Sequence, residues 1–120
     1  MHDFSYAFIT ENKETNASFY QKHFGWEVAE SFKGSSGIDS KSPLEFELFD
    51  KEYLESVIGI PADYFPEKSF CIWTYNSETD FLKEKEEFLS RGASEIGKTG
   101  HFLKDASGHI WQLKVKGGDL

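Results

Sequence analysis

The chain has 120 residues, with 21 Asp and Glu against 13 Lys and Arg, a formal net charge of -8 and 17% aromatic residues. That length supports one hydrophobic core, so any two modules within it must share that core. The acidic balance argues against nucleic acid or an anionic membrane as partner, because both require a basic footprint.

Cys71 is the single cysteine, so no intrachain disulfide is expected and a reducing, cytoplasmic setting suits the chain. Residues 1–25 show no signal-peptide run, and no window approaches the roughly 20 apolar residues that cross a bilayer. With 12 Phe, 5 Tyr and 3 Trp, the rings exceed what a core of this size needs, and some are expected to line a cavity.

Residues 4–10 alternate large and small side chains with the period of a strand. Asn12 is read as the cap of the helix that follows. In that helix Ala17, Tyr20 and Phe24 share a face, and Gly25 supplies the left-handed stop. A second strand is predicted over Trp26–Lys33, broken by Gly34-Ser35-Ser36-Gly37. A third opens at Pro43, with Leu44, Phe46 and Leu48 on its apolar face and Glu45 and Glu47 facing outward. A fourth is predicted around Tyr53–Ile60, and the two prolines of 61–67 mark a linker.

The second half repeats the order. Ser69–Tyr75 reads as a strand, and Ser77-Glu78-Thr79-Asp80 as a capped helix start with acids in its first turn. The helix runs to Arg91, carries Phe81, Leu82, Lys85, Phe88 and Leu89 on one face, and stops at Gly92. Three short strands follow near 94–97, 100–104 and 109–116. Each half is therefore β-α-β-β-β, and the fold class is α+β: one domain over 1–120, built from modules 1–60 and 68–117.

This doubled order, the helix exit Phe24-Gly25-Trp26-Glu27 and the closing Asp105-Ala106-Ser107-Gly108-His109-Ile110-Trp111-Gln112-Leu113 resemble the vicinal oxygen chelate superfamily of glyoxalases, bleomycin-resistance proteins and extradiol dioxygenases. The likeness is strongest to its glyoxalase-related branch. It implies two cupped mixed sheets around a shared pocket, commonly in a homodimer. Fold alone does not fix function, because this architecture hosts binding, isomerisation and oxygenation alike.

Metal-dependent relatives place a His, Gln or Glu on the first strand of each half and a Glu on the last strand of each. The matching positions here offer Ser5, Ser69 or Cys71, Glu55 and Gln112. That is a poor ligand set, so no cofactor is expected, and a divalent metal, held by Gln112 and Glu55 if present, is disfavoured. Gln112 reads as a pocket residue.

If Asp105–Gly108 form the last hairpin loop, Lys104 faces His109 and His101 faces Gln112, giving the pocket a polar floor. His101 is then the candidate proton-transfer residue, against the commoner structural role of a lone histidine. Trp73, Tyr75, Phe102 and Tyr64 are candidates for stacking an aromatic ligand or filling the core. Glu45 and Glu47 read as a solvated pair, Cys71 as a buried thiol, His109 as a turn residue, His23 as a partner of the helix dipole and His2 as frayed.

The expectation is a cytoplasmic protein that binds a small, apolar or aromatic molecule without a metal. Its ligand-binding residues are Ser5, Trp73, Tyr75, His101, Phe102 and Gln112. The alternatives are a metal-dependent lyase or isomerase and a drug-sequestering resistance protein.

Overall fold

The computed structural model describes residues 4–43 and 45–118. His2 and Leu44, both read above, lie outside the described residues. Among the described residues, eight strands form one mixed sheet in the order β2-β3-β4-β1-β5-β8-β7-β6. They are β1 Phe4–Thr10, β2 Glu27–Ser31, β3 Ser35–Asp39, β4 Phe46–Asp50, β5 Ser69–Tyr75, β6 Ser94–Ile96, β7 Phe102–Lys104 and β8 Ile110–Val115. The first four and the last four follow the same spatial order. The halves meet along the antiparallel β1/β5 pair, while β1 runs parallel to β4 and β5 parallel to β8. The α+β class and the cupped sheet implied by the resemblance are both present.

Two helices cover the outer face. Asn12 caps α1 (Lys13–Phe24) by accepting from the Thr15 backbone N–H, and Gly25 ends it at φ 74°. Ser77 caps α3 (Glu78–Ser90) through Asp80 in the same way, so both caps fall where the sequence places them. Ala17 of α1 packs with Ile38, Phe46 and Leu48, and Phe81 of α3 packs with Leu103 and Leu113. Lys13 is a buried cation that ties α1 to the sheet: its Nζ donates to Ser31 Oγ at 3.1 Å and Ser36 Oγ at 3.0 Å and pairs with Glu14 at 3.1 Å.

The first strand and the long helix of the two halves begin 65 residues apart, as Phe4 and Ser69, and Lys13 and Glu78, show. The register agrees. Glu47 pairs with Ala7, and Gln112 with Ile72, which are the same positions one repeat apart.

Two expected elements differ. The small residues from Gly34 do not break the sheet, because Ser35–Asp39 is β3, paired antiparallel with both β2 and β4. Bulkier residues would not fit there: a Cβ on Gly34 would collide with the Tyr53 ring, and Ser36 receives the Lys13 ammonium.

The fourth strand expected at Tyr53–Ile60 is instead helical. Lys51–Tyr53 (α2) runs into a π-helical turn over Leu54–Ile58, closed by the Gly59 N–H donating to Leu54 O at 2.9 Å. Leu54 and Ile58, four apart, turn to one side and are fully buried, while Glu52, Glu55 and Ser56 stay exposed. Spacing of four outweighs the β-branched content of Val57, Ile58 and Ile60.

That segment fills part of the cup. Leu54, Ile58, Ile60 and Phe65 pack on the inner sheet face against Ala7, Phe49, Phe70, Ile72, Phe102 and Ile110. Ring pairs link Phe49, Phe65 and Phe102 to Phe70 at centroid distances of 5.1–5.5 Å. Core residues thus come from both halves and from the segment between them.

Candidate functional site

The inner face stays open at the other end, where a cleft of about 320 Å³ is lined by Ser5, Glu30, Phe32, Glu45, Glu47, Thr74 and Lys114, among others. Period two in β1, β4, β5 and β8 sends Ser5, Glu47, Thr74 and Lys114 to this face, on the same side as Ala7, Phe49, Ile72 and Gln112. Strands β1 and β5 lie between Glu47 and Lys114, and the register sets Glu47 level with Phe70 but Lys114 level with Thr74, so a flat sheet would hold the two backbone positions about 20 Å apart at the usual strand spacing and rise. Yet Lys114 Nζ lies 3.7 Å from Glu47 Oε2. Only a curled sheet allows two side chains to meet across such a span.

Both partners are sheltered, Glu47 with 13% and Lys114 with 20% of the side chain exposed. Burial pushes the Glu47 carboxyl above its ordinary range; Lys114 works against that shift, and Glu30 and Glu45 add to it. The Lys114 ammonium also sits 5.7 Å from the centroid of the half-exposed Phe32 ring. A side chamber of about 20 Å³, walled by Phe32, Phe49, Tyr53, Gln112 and Lys114 among others, adjoins the pair. Gln112 is 1% exposed, and its Oε1 has no hydrogen-bond partner among the described residues.

Of the residues expected to bind ligand, Ser5, Phe102 and Gln112 share the inner face, with Phe102 sealed in the core. His101 does not face Gln112. The closing loop is one residue longer than read, because Asp105 Oδ1 accepts from the backbone N–H of Ser107 and His109, each at 2.9 Å, and Oδ2 accepts from Trp111 Nε1 at 3.1 Å. Lys104 therefore pairs with Ile110, and Phe102 with Gln112.

A slip of one residue exchanges the faces. The His101 ring turns outward, stacks on Phe81 at 4.6 Å and hydrogen-bonds Leu113 O through Nδ1 at 2.8 Å. Since a carbonyl only accepts, Nδ1 is the donor in this hydrogen bond.

Trp73 and Tyr75 also lie on the outer face, in a groove with Phe88, Arg91 and Trp111 under α3. The outer and inner candidates therefore do not form one pocket. Tyr64 is exposed on the short 3-10 helix Ala62–Tyr64. Cys71 is partly buried, which raises its thiol pKa, with the Asp105 charge adding to the rise.

Glu55 is off the sheet, exposed, and accepts from the Ala62 N–H at 3.2 Å; it cannot join Gln112. Glu47, read as outward with Glu45, instead faces the cleft and occupies the position equivalent to Gln112. Its signal was the 65-residue offset. At the positions that metal-dependent relatives use, a divalent ion would meet the Glu47 carboxylate, the Gln112 amide and the Ser5 hydroxyl beside the Lys114 ammonium, while Glu30 and Glu45 line the cleft without clustering with Glu47 into a ligand set. That donor set does not fit such an ion, and among the described residues no three His, Cys, Asp or Glu side chains cluster to hold a metal. No described helix is long and apolar enough to cross a membrane.

No protein-family model and no curated protein matches the chain. Solved structures do. A Legionella pneumophila protein described as an NAD-dependent benzaldehyde dehydrogenase aligns with a TM-score of 0.72 at 15% identity, over 93% of this chain and 97% of its own. A Vibrio splendidus 12B01 member of the glyoxalase/bleomycin resistance protein/dioxygenase superfamily aligns with a TM-score of 0.55 at 10% identity, over the same shares. The chain shares the fold of these structures, the second of which belongs to the superfamily that the sequence resembles.

Proposed function

We propose that the protein binds a small amphipathic organic molecule in the open end of the cup, without a divalent metal. The observation that carries this reading is the sheltered Glu47–Lys114 pair in a cleft of about 320 Å³. The cleft combines a few convergent polar groups, Ser5, Glu47, Thr74 and Lys114, with the Phe32 ring, Ala29 and Val115, the mixture that small-molecule sites share. A nicotinamide cofactor is not part of this reading, because the sequence has no glycine-rich phosphate loop opening a helix. The single Cys71 suits a reducing cytoplasm, and a homodimer is the proposed assembly, to be read by sedimentation at micromolar concentration.

Ala29 lines the cleft from an exposed position, so Ala29→Trp blocks it without touching the core. Titration calorimetry with 2-phenylethylamine, 2-phenylethanol and 3-phenylpropionate tests the reading. At least one should bind the wild type and lose binding to Ala29→Trp. Binding of none, or binding that survives the block, overturns it.

A further inference from the structure

We propose that the ligand of this cleft carries an organic ammonium group, and that the Lys114 side chain is its resident stand-in. The inference rests on the cleft being the ligand site and goes further by naming the chemistry recognised there.

A carboxylate beside an aromatic face is the arrangement that recognises ammonium groups. Glu47 and Phe32 supply one, and the chain's own ammonium already occupies it, 3.7 Å from the carboxylate and 5.7 Å from the ring centroid. The pairing is loose. A charge-assisted N–H···O contact closes to about 2.7–2.9 Å, so a ligand ammonium that reaches that distance would displace Lys114, whose flexible stem can carry its charge toward solvent.

The remaining lining points the same way. Glu30, Glu45 and Glu47 outnumber Lys114 and Lys116, and Ser5 and Thr74 add hydroxyl oxygens. The buried Gln112 Oε1, an acceptor with no partner among the described residues, borders the adjoining chamber. These acceptors call for a ligand rich in N–H donors. An anion would reach Lys114 only by entering among three carboxylates, which is costly in a sheltered cleft.

Three ligands that differ only in their head group decide the matter: 2-phenylethylamine, 2-phenylethanol and 3-phenylpropionate, titrated into the full-length protein and its variants. The amine should bind tightest. Lys114→Met should tighten amine binding, because it removes the competing ammonium. Glu47→Gln should weaken amine binding about tenfold or more. Phe32→Leu, at an exposed position, should weaken it severalfold with the thermal unfolding midpoint unchanged.

If the alcohol binds as well as the amine, the inference fails while the cleft remains a binding site. If 3-phenylpropionate binds tightest and Lys114→Met abolishes its binding, the site is anionic in preference and the inference is overturned. If no head group binds, the inference and the proposed function fall together.

Discussion

The two ends of the inner sheet face are built by the same strands and used differently. At one end Phe70, Ile72, Phe102 and Ile110 are covered by Leu54, Ile58, Ile60 and Phe65; at the other Ser5, Glu47, Thr74 and Lys114 face an open cleft. What differs is the cover. The helical segment after β4 fills only part of the cup, so the apolar end becomes core and the polar end stays an open cleft.

The sharpest way to break this contrast is to cut into the cover. Leu54→Ala should cost about 2–5 kcal/mol of stability, as buried leucine truncations do, read by urea unfolding. The double variant Glu47→Gln/Lys114→Met at the open end should change stability by less than about 1 kcal/mol, because removing both members of a sheltered pair strands neither charge. A comparable loss at both ends would erase the distinction. Gly34→Ala, which drives a methyl into the Tyr53 ring, should cost about 1–3 kcal/mol and loosen the cover from the outside.

Smaller effects separate two carboxylates by the sign of their pH dependence. The raised Glu47 carboxyl means that the folded state holds its proton more tightly than the unfolded chain, whose value is near 4.5. Its contribution is therefore greatest below that value and is lost as pH rises through the folded-state value.

Asp105 behaves oppositely. Partial burial opposes its ionisation, but hydrogen bonds from His109, Trp111 and Ser107 outweigh it and hold the carboxyl below the usual 3.8, with the His109 charge helping. Its contribution is present above that value and is lost as pH falls through the folded-state value. Relative to wild type, Glu47→Gln should lose ground on acidification, whereas the deficit of Asp105→Ala should shrink. Parallel urea titrations between pH 3 and pH 7 read both signs.

Local chemistry was legible in the sequence: the Asn12 and Ser77 caps and the Gly25 stop stand where side-chain logic puts them, and the β-α-β-β-β order recurs although the third and fourth strands of the first half lie elsewhere than read. Three misreadings share a cause in tertiary structure. The loop at Asp105 gained a residue because its carboxylate collects three N–H donors, and this turned His101 away from Gln112. The segment at Leu54 became helical because its apolar spacing of four meets a ready inner surface. Glu47 read as solvated because a carboxylate on an alternating strand shows nothing of the lysine that the curl of the sheet brings to it.

The account rests on the open end being where a ligand sits. Amide chemical shifts recorded while 2-phenylethylamine is added test it most directly. The account predicts the largest changes at Ser5, Gly37, Glu47, Thr74 and Val115, with Leu54 and Ile58 undisturbed. Changes concentrated instead around Trp73, Tyr75 and Arg91 in the outer groove would contradict it.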